Sequence, residues 1–297
     1  MKIIKLFFVA IFIIATTFET TYSQRVIKRK VAIGRFSNET QYAKGLFYDK
    51  ENDPMGKQAL DILSAKLSAS NKFILLERSD MDKIYKESAN ADKTLQQMIP
   101  ADYLILGSIT QFGRKNLGKS GVFSNKKTQI VEATVSIRLV DVISGLIIYS
   151  DEGKGSSEIV SKTVLGIGGK AGFDASLSDK AISTAISQLV ENIINKCTNK
   201  AWRSYFLSYD KDAILISGGK SQGLLPGDKF SVFSKGKKIK NPQNGLMIEL
   251  PGKQVGSVLI ISSGGNTSET EYSFVKFAEG GIDSNKLNNY YIEEIKQ

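Results

Sequence analysis

Histidine is absent from all 297 residues of this chain. Catalytic sites that pair a serine or cysteine nucleophile with an imidazole base are therefore excluded, and so are metal sites built on imidazole. Cysteine occurs once, at position 197, so no disulfide can form within one chain. Because Cys197 falls on an apolar helical stripe, we expect it to be a small buried side chain and not a reactive thiol.

Long apolar runs are also scarce. The one prominent run, residues 3–15, follows Lys2 and includes Lys5. It is too short to span a bilayer comfortably. Small residues, Thr21 and Ser23, stand where a signal peptidase would cut. We therefore predict that residues 1–23 are a secretory signal peptide and that Gln24 begins the mature chain, with an uncleaved membrane anchor as the alternative.

Basic residues outnumber acidic ones. The chain has 40 Lys and Arg against 30 Asp and Glu, and removal of residues 1–23 would leave 38 against 29, a formal charge of +9. This balance is typical of chains that bind nucleic acid or an anionic lipid or glycan surface, and it also occurs for solubility alone. For an exported chain we expect no nucleic-acid partner, and association with a membrane or with cell-wall peptidoglycan is preferred.

The mature length of about 274 residues predicts two domains. In residues 24–203 strand patterns alternate with helical ones, such as a strand at 30–36, a helix that Asp53 caps and Pro54 begins, and a half-buried strand at 130–142. The segment after this strand, Asp141 to Gly145, reads as a hairpin turn. Mixed elements in this order predict an α/β or α+β sandwich with helices packed on one sheet.

The sequence pattern changes in residues 204–297. Short β runs there are separated by glycine-rich turns, a pattern that predicts a small antiparallel barrel. The six predicted strands are 213–216, 229–233, 246–250, 255–262, 271–277 and 290–295.

Two segments carry the most specific signal, residues 73–87 (FILLERSDMDKIYKE) and residues 101–110 (ADYLILGSIT). In the first, a short apolar strand runs into a charged corner, Glu77-Arg78, and a helix opens at Ser79, whose hydroxyl can accept an orphan backbone N–H. The second is an apolar run typical of a buried strand. Together they resemble the core signature of the CsgG family, whose best-known members secrete curli fibre subunits across the bacterial outer membrane.

The resemblance implies that residues 24–203 form a periplasmic α/β domain related to the anticodon-binding-like domain. In residues 204–297 the phrase GGKSQGLLPGD at 218–228 resembles a turn in the SH3-like C-terminal domains of the flagellar FlgT group, which implies an SH3-like barrel. One departure stands out. Known curli channels carry a cysteine for lipid attachment directly after the signal peptide, whereas no cysteine precedes Cys197 here, so the family's usual anchor is not expected.

In the curli channel each protomer contributes two β-hairpins to one large barrel, and the matching insertions here are residues 111–127 and 156–179. A membrane strand needs roughly 9–11 residues with every second one facing lipid. The second insertion approximates this pattern, but the first crowds cationic side chains that each cost about 2–4 kcal/mol at the bilayer midplane. We therefore expect both insertions to be solvated glycine-rich loops, with membrane hairpins as the alternative.

A constriction loop between the first strand and first helix narrows the channel in this family. The corresponding segment, residues 37–53, holds Tyr42, Phe47, Tyr48 and Asn52. The resemblance implies that these rings and this amide gate an unfolded polypeptide by stacking and steric exclusion. The alternative is that Phe47 and Tyr48 pack on the domain core.

No catalytic, cofactor-binding or metal-binding residues are predicted. The pair Glu77 and Arg78 is interpreted as an ion pair or cap at a strand–helix corner. The triplet Gly219-Lys220-Ser221 lacks the first glycine of a phosphate-binding loop, where Ile214 stands instead.

We thus predict a non-enzymatic CsgG-family envelope protein, a homo-oligomer that serves secretion or assembly at the outer membrane with other envelope proteins and a secreted unfolded polypeptide as partners. The first alternative is a soluble periplasmic adaptor or activator, similar to activators of peptidoglycan synthases or to FlgT, that docks partner proteins. An enzyme that cleaves cell-wall glycans with two carboxylates is the last alternative, because no acidic pair stands out.

Overall fold

The computed structural model describes residues 26–42, 53–78, 84, 100–120, 124–142, 144–164, 176–210, 213–243, 245, 247–266 and 270–295. Within these ranges two large sheets each have their own cluster of buried apolar side chains. The predicted signal peptide, residues 1–23, lies outside the described residues, and so does the helix predicted to open at Ser79, except for Ile84.

The first sheet contains five strands, β1 (Arg29–Asn38), β2 (Phe73–Leu76), β3 (Tyr103–Ser120), β4 (Ser124–Asp141) and β5 (Ile147–Val164). Their order across the sheet is β2-β1-β3-β4-β5. Strand β1 pairs in parallel with β2 and β3, whereas β3, β4 and β5 form an antiparallel meander. This mixed sheet, covered by helices, confirms the predicted mixed α/β class.

Helix α1 (Pro54–Ala69) begins where the sequence predicts. Asp53 accepts a hydrogen bond from the backbone N–H of Gly56 at 2.9 Å and so satisfies a donor that the first helical turn leaves unpaired. Its other carboxylate oxygen accepts from the backbone N–H of Asn38 at 2.6 Å. The cap therefore also ties the start of α1 to the end of β1. The helix buries Met55, Ala59, Leu63 and Leu67 against the sheet.

Helix α2 (Ser176–Asn199) carries the apolar helical stripe on which the sequence places Cys197. Most of the stripe is fully buried, because it covers β4 and β5 and contacts α1, whereas Val190 and Ile194 are partly buried. Its buried residues include Leu177, Ala181, Ile182, Ala185, Ile186, Leu189, Ile193 and Cys197. The interpretation of Cys197 as a buried apolar side chain is confirmed, since its exposed fraction is zero.

Two glycines in β5 allow α2 to approach the sheet closely. A Cβ atom at Gly153 would lie 2.1 Å from the carbonyl oxygen of Ala185, and one at Gly155 would lie 1.9 Å from that of Ala181. Both distances are far below van der Waals contact, so any side chain at these positions would push the helix away. Glycine is therefore required here by packing against backbone and not by its conformational freedom.

The turn between β4 and β5 matches the prediction. Asp141 accepts hydrogen bonds from the backbone N–H and the hydroxyl of Ser144, both at 2.9 Å, and Gly145 adopts a φ of +69°. The backbone N–H of Gly145 donates to the carbonyl of Asp141 at 2.8 Å. An aspartate at the start and a left-handed glycine at the end specify this turn locally.

The loop interpretation of the two insertions is wrong. Residues 111–120 and 124–127 continue β3 and β4, and residues 156–164 continue β5, so that each strand is 18 residues long. Continuous backbone pairing holds the three strands together, and charged side chains are paired on one face, as in the 2.8 Å contact of Lys115 with Glu132. Backbone hydrogen bonds therefore extend the strands even though the side chains lack a regular apolar alternation.

The second sheet contains seven strands, and its order brings the two edge strands close together. These strands are β6 (Arg203–Ser204), β7 (Phe206–Asp210), β8 (Ala213–Ser217), β9 (Lys229–Ser234), β12 (Lys253–Gly264), β13 (Tyr272–Gly280) and β14 (Tyr290–Glu294). Their order is β6-β14-β9-β12-β13-β8-β7. Because Tyr205 alone separates the edge strands β6 and β7, the antiparallel sheet nearly closes on itself. The SH3-like arrangement of this sheet stays a prediction.

The remaining described strands, β10 (Lys238–Lys240) and β11 (Met247–Glu249), pair with each other as a separate antiparallel hairpin between β9 and β12. The sequence predicts β11 but neither β10 nor the short strands β6 and β7. In the described ranges, no helix is both long enough and apolar enough to cross a membrane.

Candidate functional site

The described part of the chain brings charged side chains together at the junction of the two sheets. Arg29, at the first position of β1, has only 3% of its surface exposed. Its guanidinium donates to the backbone carbonyls of Ile27 and Lys200, each at 2.8 Å, and to a carboxylate oxygen of Glu294 at 3.1 Å. Since Glu294 belongs to β14, this buried ion pair joins the first strand of one sheet to the last strand of the other.

Further hydrogen bonds support this junction. The same oxygen of Glu294 accepts from the backbone N–H of Trp202 at 3.1 Å. At the residue directly before Arg29, the backbone N–H of Lys28 donates to the carbonyl of Gln222 at 2.9 Å. The segment before β1 is thus held by the second sheet, and Ile27 is part of the second apolar cluster.

A cavity of about 130 Å³ lies beside Arg29. Its size is small against the roughly 300–1,000 Å³ that small-molecule sites usually have. The cavity is lined by Arg29, Asp102, Tyr103, Asp141, Lys200, Ala201, Trp202, Arg203 and Tyr205.

The two carboxylates of the cavity have pKa values shifted in opposite directions. Burial raises the pKa of Asp102, although the backbone N–H of Lys30 donates to it at 2.8 Å and partly offsets this effect. Burial also acts on Asp141, but hydrogen bonds from Lys200, at 2.9 Å, and from Ser144 outweigh it and lower the pKa of that carboxyl. The shifts follow from whether each carboxylate has a cation directly against it.

Neither the phenol nor the thiol close to the cavity is activated. Burial raises the pKa of Tyr103 to about 12 and that of Cys197 to about 12. A thiol with so high a pKa is almost entirely protonated at neutral pH and is a poor nucleophile or metal ligand.

Among the described residues, no group of three or more Asp, Glu or Cys side chains could hold a metal ion. The arrangement is suited to holding the two sheets together.

Of the predicted constriction residues, Tyr42 is described, and it lies against the first core. Its ring centroid is 4.6 Å from that of Phe112, and the guanidinium carbon of Arg114 lies 4.5 Å from the centroid of the Tyr42 ring. Arg114 also donates to the hydroxyl of Ser178 at 3.0 Å. This contact joins the start of the 37–53 segment to β3 and to the first turn of α2.

The other three predicted constriction residues, Phe47, Tyr48 and Asn52, lie outside the described residues. The gating role of the four residues stays a prediction.

The signature corner, Glu77 and Arg78, directly follows β2 at the surface. A guanidinium nitrogen of Arg78 lies 3.4 Å from the carbonyl oxygen of Glu77, which is a long and weak hydrogen bond. The cavity beside Arg29 is formed by other residues. The interpretation of the corner as an ion pair or cap stays a prediction.

Sequence reasoning missed the junction. Arg29 stands in the basic segment Lys28-Arg29-Lys30, which looks like a solvated charge cluster, and its partner Glu294 is 265 residues away. One signal was present in the sequence. The position lies at the start of a strand whose next inward-facing residues, Val31 and Ile33, are apolar, so Arg29 shares the inward-facing periodicity of that strand.

The fold and the junction define a class of protein with a helix-covered mixed sheet, followed by a nearly closed antiparallel sheet that is locked to it by a buried ion pair. The family model described as "Curli production assembly/transport component CsgG" matches residues 16–223, well over half of the chain. The chain belongs to the CsgG family, as the segments at 73–87 and 101–110 predict.

The chain is also similar to an individual bacterial protein. Over 180 residues the chain is 32% identical to a Neisseria meningitidis serogroup B protein named as a lipoprotein, and the match covers 60% of this chain and 80% of that protein.

Solved structures overlap less well. PelC from Paraburkholderia phytofirmans, solved as a dodecamer, has 15% identity and a TM-score of 0.30, with 56% of this chain and 89% of PelC covered. A lipoprotein structure from Neisseria meningitidis has 13% identity and a TM-score of 0.31, with 58% of this chain and 99% of the other covered.

Proposed function

We propose that the protein is a non-enzymatic CsgG-family protein of the bacterial cell envelope that assembles through its α/β domain and serves secretion or assembly at the outer membrane. The observation that carries the proposal is the family match over residues 16–223, which spans every strand and helix of the first sheet. The relative named as a lipoprotein supports an envelope location.

The chemistry of the junction supports a role without catalysis. Arg29 is engaged by Glu294 and two backbone carbonyls, and Asp141 is engaged by Lys200 and Ser144. These groups satisfy one another, so they are not poised toward a substrate. A catalytic site usually leaves a perturbed acid, base or nucleophile facing an open cleft.

The long strands supply the surface for assembly. Arg114 contacts Ser178 in the first turn of α2, and β3 continues for six residues beyond Arg114. At about 3.3 Å per residue this is an extension of roughly 20 Å past the helix. A three-stranded extension of that length offers backbone edges and side chains to neighbouring subunits.

A soluble periplasmic adaptor is the second candidate, and one observation favours it. The outward face of the extension carries the ion pair of Lys115 and Glu132, whose side chains are 60% and 54% exposed. Charged side chains on this face suit contact with water or with a protein partner better than contact with lipid. If the protein is an adaptor, the three-stranded extension and the second sheet dock partner proteins.

Fractionation of cells that produce the full chain separates the two candidates. If the proposal holds, the protein remains with outer membranes through a high-salt wash, requires detergent for extraction and forms multi-subunit particles in negative-stain images. A monomer released by salt alone would contradict the assembly proposal and favour the adaptor. Turnover of purified peptidoglycan by the protein alone would contradict the absence of catalysis in both.

The constriction residues provide a second test. If the particles conduct ions, the double substitution Phe47→Ala and Tyr48→Ala is expected to raise single-channel conductance, because removal of the rings widens the narrowest point. Tyr205→Ala is the matched control, since Tyr205 is 47% exposed and lies at the junction of the sheets. An unchanged conductance of the double variant would refute the gating role of these rings.

A further inference from the structure

The hairpin of β10 and β11 projects from the second sheet. Its two strands pair with each other and with no other described strand. The backbone N–H of Leu250 donates to the carbonyl of Lys237 at 3.0 Å and closes the base of the hairpin. All six strand residues are exposed, so both faces of this two-stranded ribbon meet solvent.

Four large apolar side chains are exposed on this small element. Ile239 and Ile248 are directly opposed across the strands and are 40% and 44% exposed. Met247 is 59% exposed, and Leu250, at the base, is 41% exposed. Scattered apolar residues are normal on a protein surface, but a group of this size on one thin projection marks a contact site.

Lysines surround the apolar group. Residues 235–253 contain five lysines and a single acidic residue, Glu249. Lys237, Lys238 and Lys240 are exposed, and within the described ranges none of the three has an ion-pair partner. The projection is therefore both apolar and strongly cationic.

We propose that the hairpin of β10 and β11 binds the anionic surface of a lipid bilayer, with Ile239, Ile248 and Met247 entering the headgroup region and the lysines contacting lipid phosphates. Because the hairpin is cationic, charge complementarity requires that the bilayer surface it binds be anionic. Lysine stems can lie along apolar material while the ammonium group stays among the headgroups.

The shape of the hairpin favours a bilayer over a protein partner. A protein that covered the apolar side chains on both faces of the ribbon would need a deep slot. A bilayer surrounds an inserted ribbon on all sides without such a slot. The proposal is independent of the assembly proposed above, because it concerns the purified protein and synthetic lipid alone.

Flotation of the purified full chain with vesicles tests the proposal. Vesicles of phosphatidylcholine with about one third phosphatidylglycerol are expected to bind the protein, and vesicles of phosphatidylcholine alone are expected to bind it far less. The triple variant K237Q/K238Q/K240Q is expected to lose about hundredfold in partitioning, since each lysine near an anionic surface contributes roughly fivefold. The variant I239S/I248S keeps every charge and is expected to lose about tenfold from reduced apolar contact.

The matched control is K57Q/K72Q/K180Q, which removes the same charge from exposed lysines at the first sheet and its helices. Its partitioning should stay near that of the unaltered protein. Equal losses in the control and in the hairpin variant would overturn the proposal, because they would reflect net charge alone. Absent binding to anionic vesicles, or equal binding to both vesicle types, would overturn it as well. Circular dichroism of each variant verifies that the fold is retained.

Discussion

At the scale of single residues, replacement of Arg29 is expected to destabilise the fold strongly. Replacement by methionine keeps the volume but leaves the carboxylate of Glu294 without its cation, and removal of one partner from a buried pair typically costs about 3 kcal/mol or more. Glu294 is 20% exposed and retains the backbone N–H of Trp202 as a donor. We therefore expect a loss near the lower end of this range, about 3 kcal/mol. Urea unfolding of the full chain measures the loss in the free energy of unfolding.

The control for Arg29→Met is a neighbouring ion pair of the same chemistry. Arg203 contacts Glu293 at 2.5 Å, but its side chain is 47% exposed. Arg203→Met should therefore cost less than about 1 kcal/mol. Equal losses for the two variants would contradict the importance assigned to burial.

Opposite pKa shifts at Asp141 and Asp102 predict opposite pH dependences. Because the pKa of Asp141 is lowered in the folded state, its contribution to stability is present above the unfolded pKa of about 3.9 and is lost as the pH falls through the folded value. Asp141→Asn should therefore lower the free energy of unfolding at pH 7, and the difference from the unaltered protein should shrink below about pH 4.

Asp102 supplies the comparison for this experiment. Its pKa is raised in the folded state, so the stability tied to its protonated form is lost as the pH rises through that value. Asp102→Asn should leave the free energy of unfolding at pH 7 equal to or higher than that of the unaltered protein. This difference between the variant and the unaltered protein should also vanish in acid. Denaturant midpoints of both variants from pH 3 to 7 measure the two trends, and parallel trends would contradict the assigned shifts.

Between helix and sheet, the two glycines of β5 set how closely α2 can pack. Gly155→Ala would place a Cβ atom 1.9 Å from a backbone oxygen of α2, so the helix must move, and such overpacking typically costs 1–3 kcal/mol. Gly113→Ala in β3 is the control, because a Cβ atom there has no neighbour within 4 Å. Thermal unfolding should show a loss for the first variant and little change for the second.

Elements with local signals were predictable from the sequence. The start of α1 follows from Asp53 and Pro54, and the turn after β4 follows from Asp141 and Gly145, because each signal acts over a few residues. The outer halves of β3, β4 and β5 were not predictable in this way. Their stability comes from backbone pairing between strands, which mixed charged and apolar side chains do not reveal. The junction depends on a contact across 265 residues, so no local pattern could identify Arg29 and Glu294 as partners.

For the whole chain, the segment before β1 couples the two sheets. Ile27 is 5% exposed and packs in the second cluster, although β1 begins two residues later in the first sheet. Ile27→Ala should lower the stability of the second sheet by about 2–4 kcal/mol. Trp202, the single tryptophan, lies in the same cluster and reports its unfolding by fluorescence.

The matched variant is Leu63→Ala, a comparable truncation in the first cluster. If the two sheets unfold as one unit, both variants shift the Trp202 fluorescence transition to lower denaturant concentration. If Leu63→Ala shifts the circular dichroism transition but leaves the fluorescence transition in place, the coupling through Ile27 and Arg29 is too weak to make the sheets cooperative.

The contact of Arg29 with Glu294 also has a consequence for the order of events during synthesis. Arg29 is synthesised 265 residues before Glu294, so this pair cannot close until β14 has been made, and a search over so long an intervening chain carries a large entropic cost. Until then Arg29 has no counter-ion from β14, and an incompletely made or clipped chain would keep that charge uncompensated. The ion pair between the two sheets therefore forms only in a chain that already includes β14.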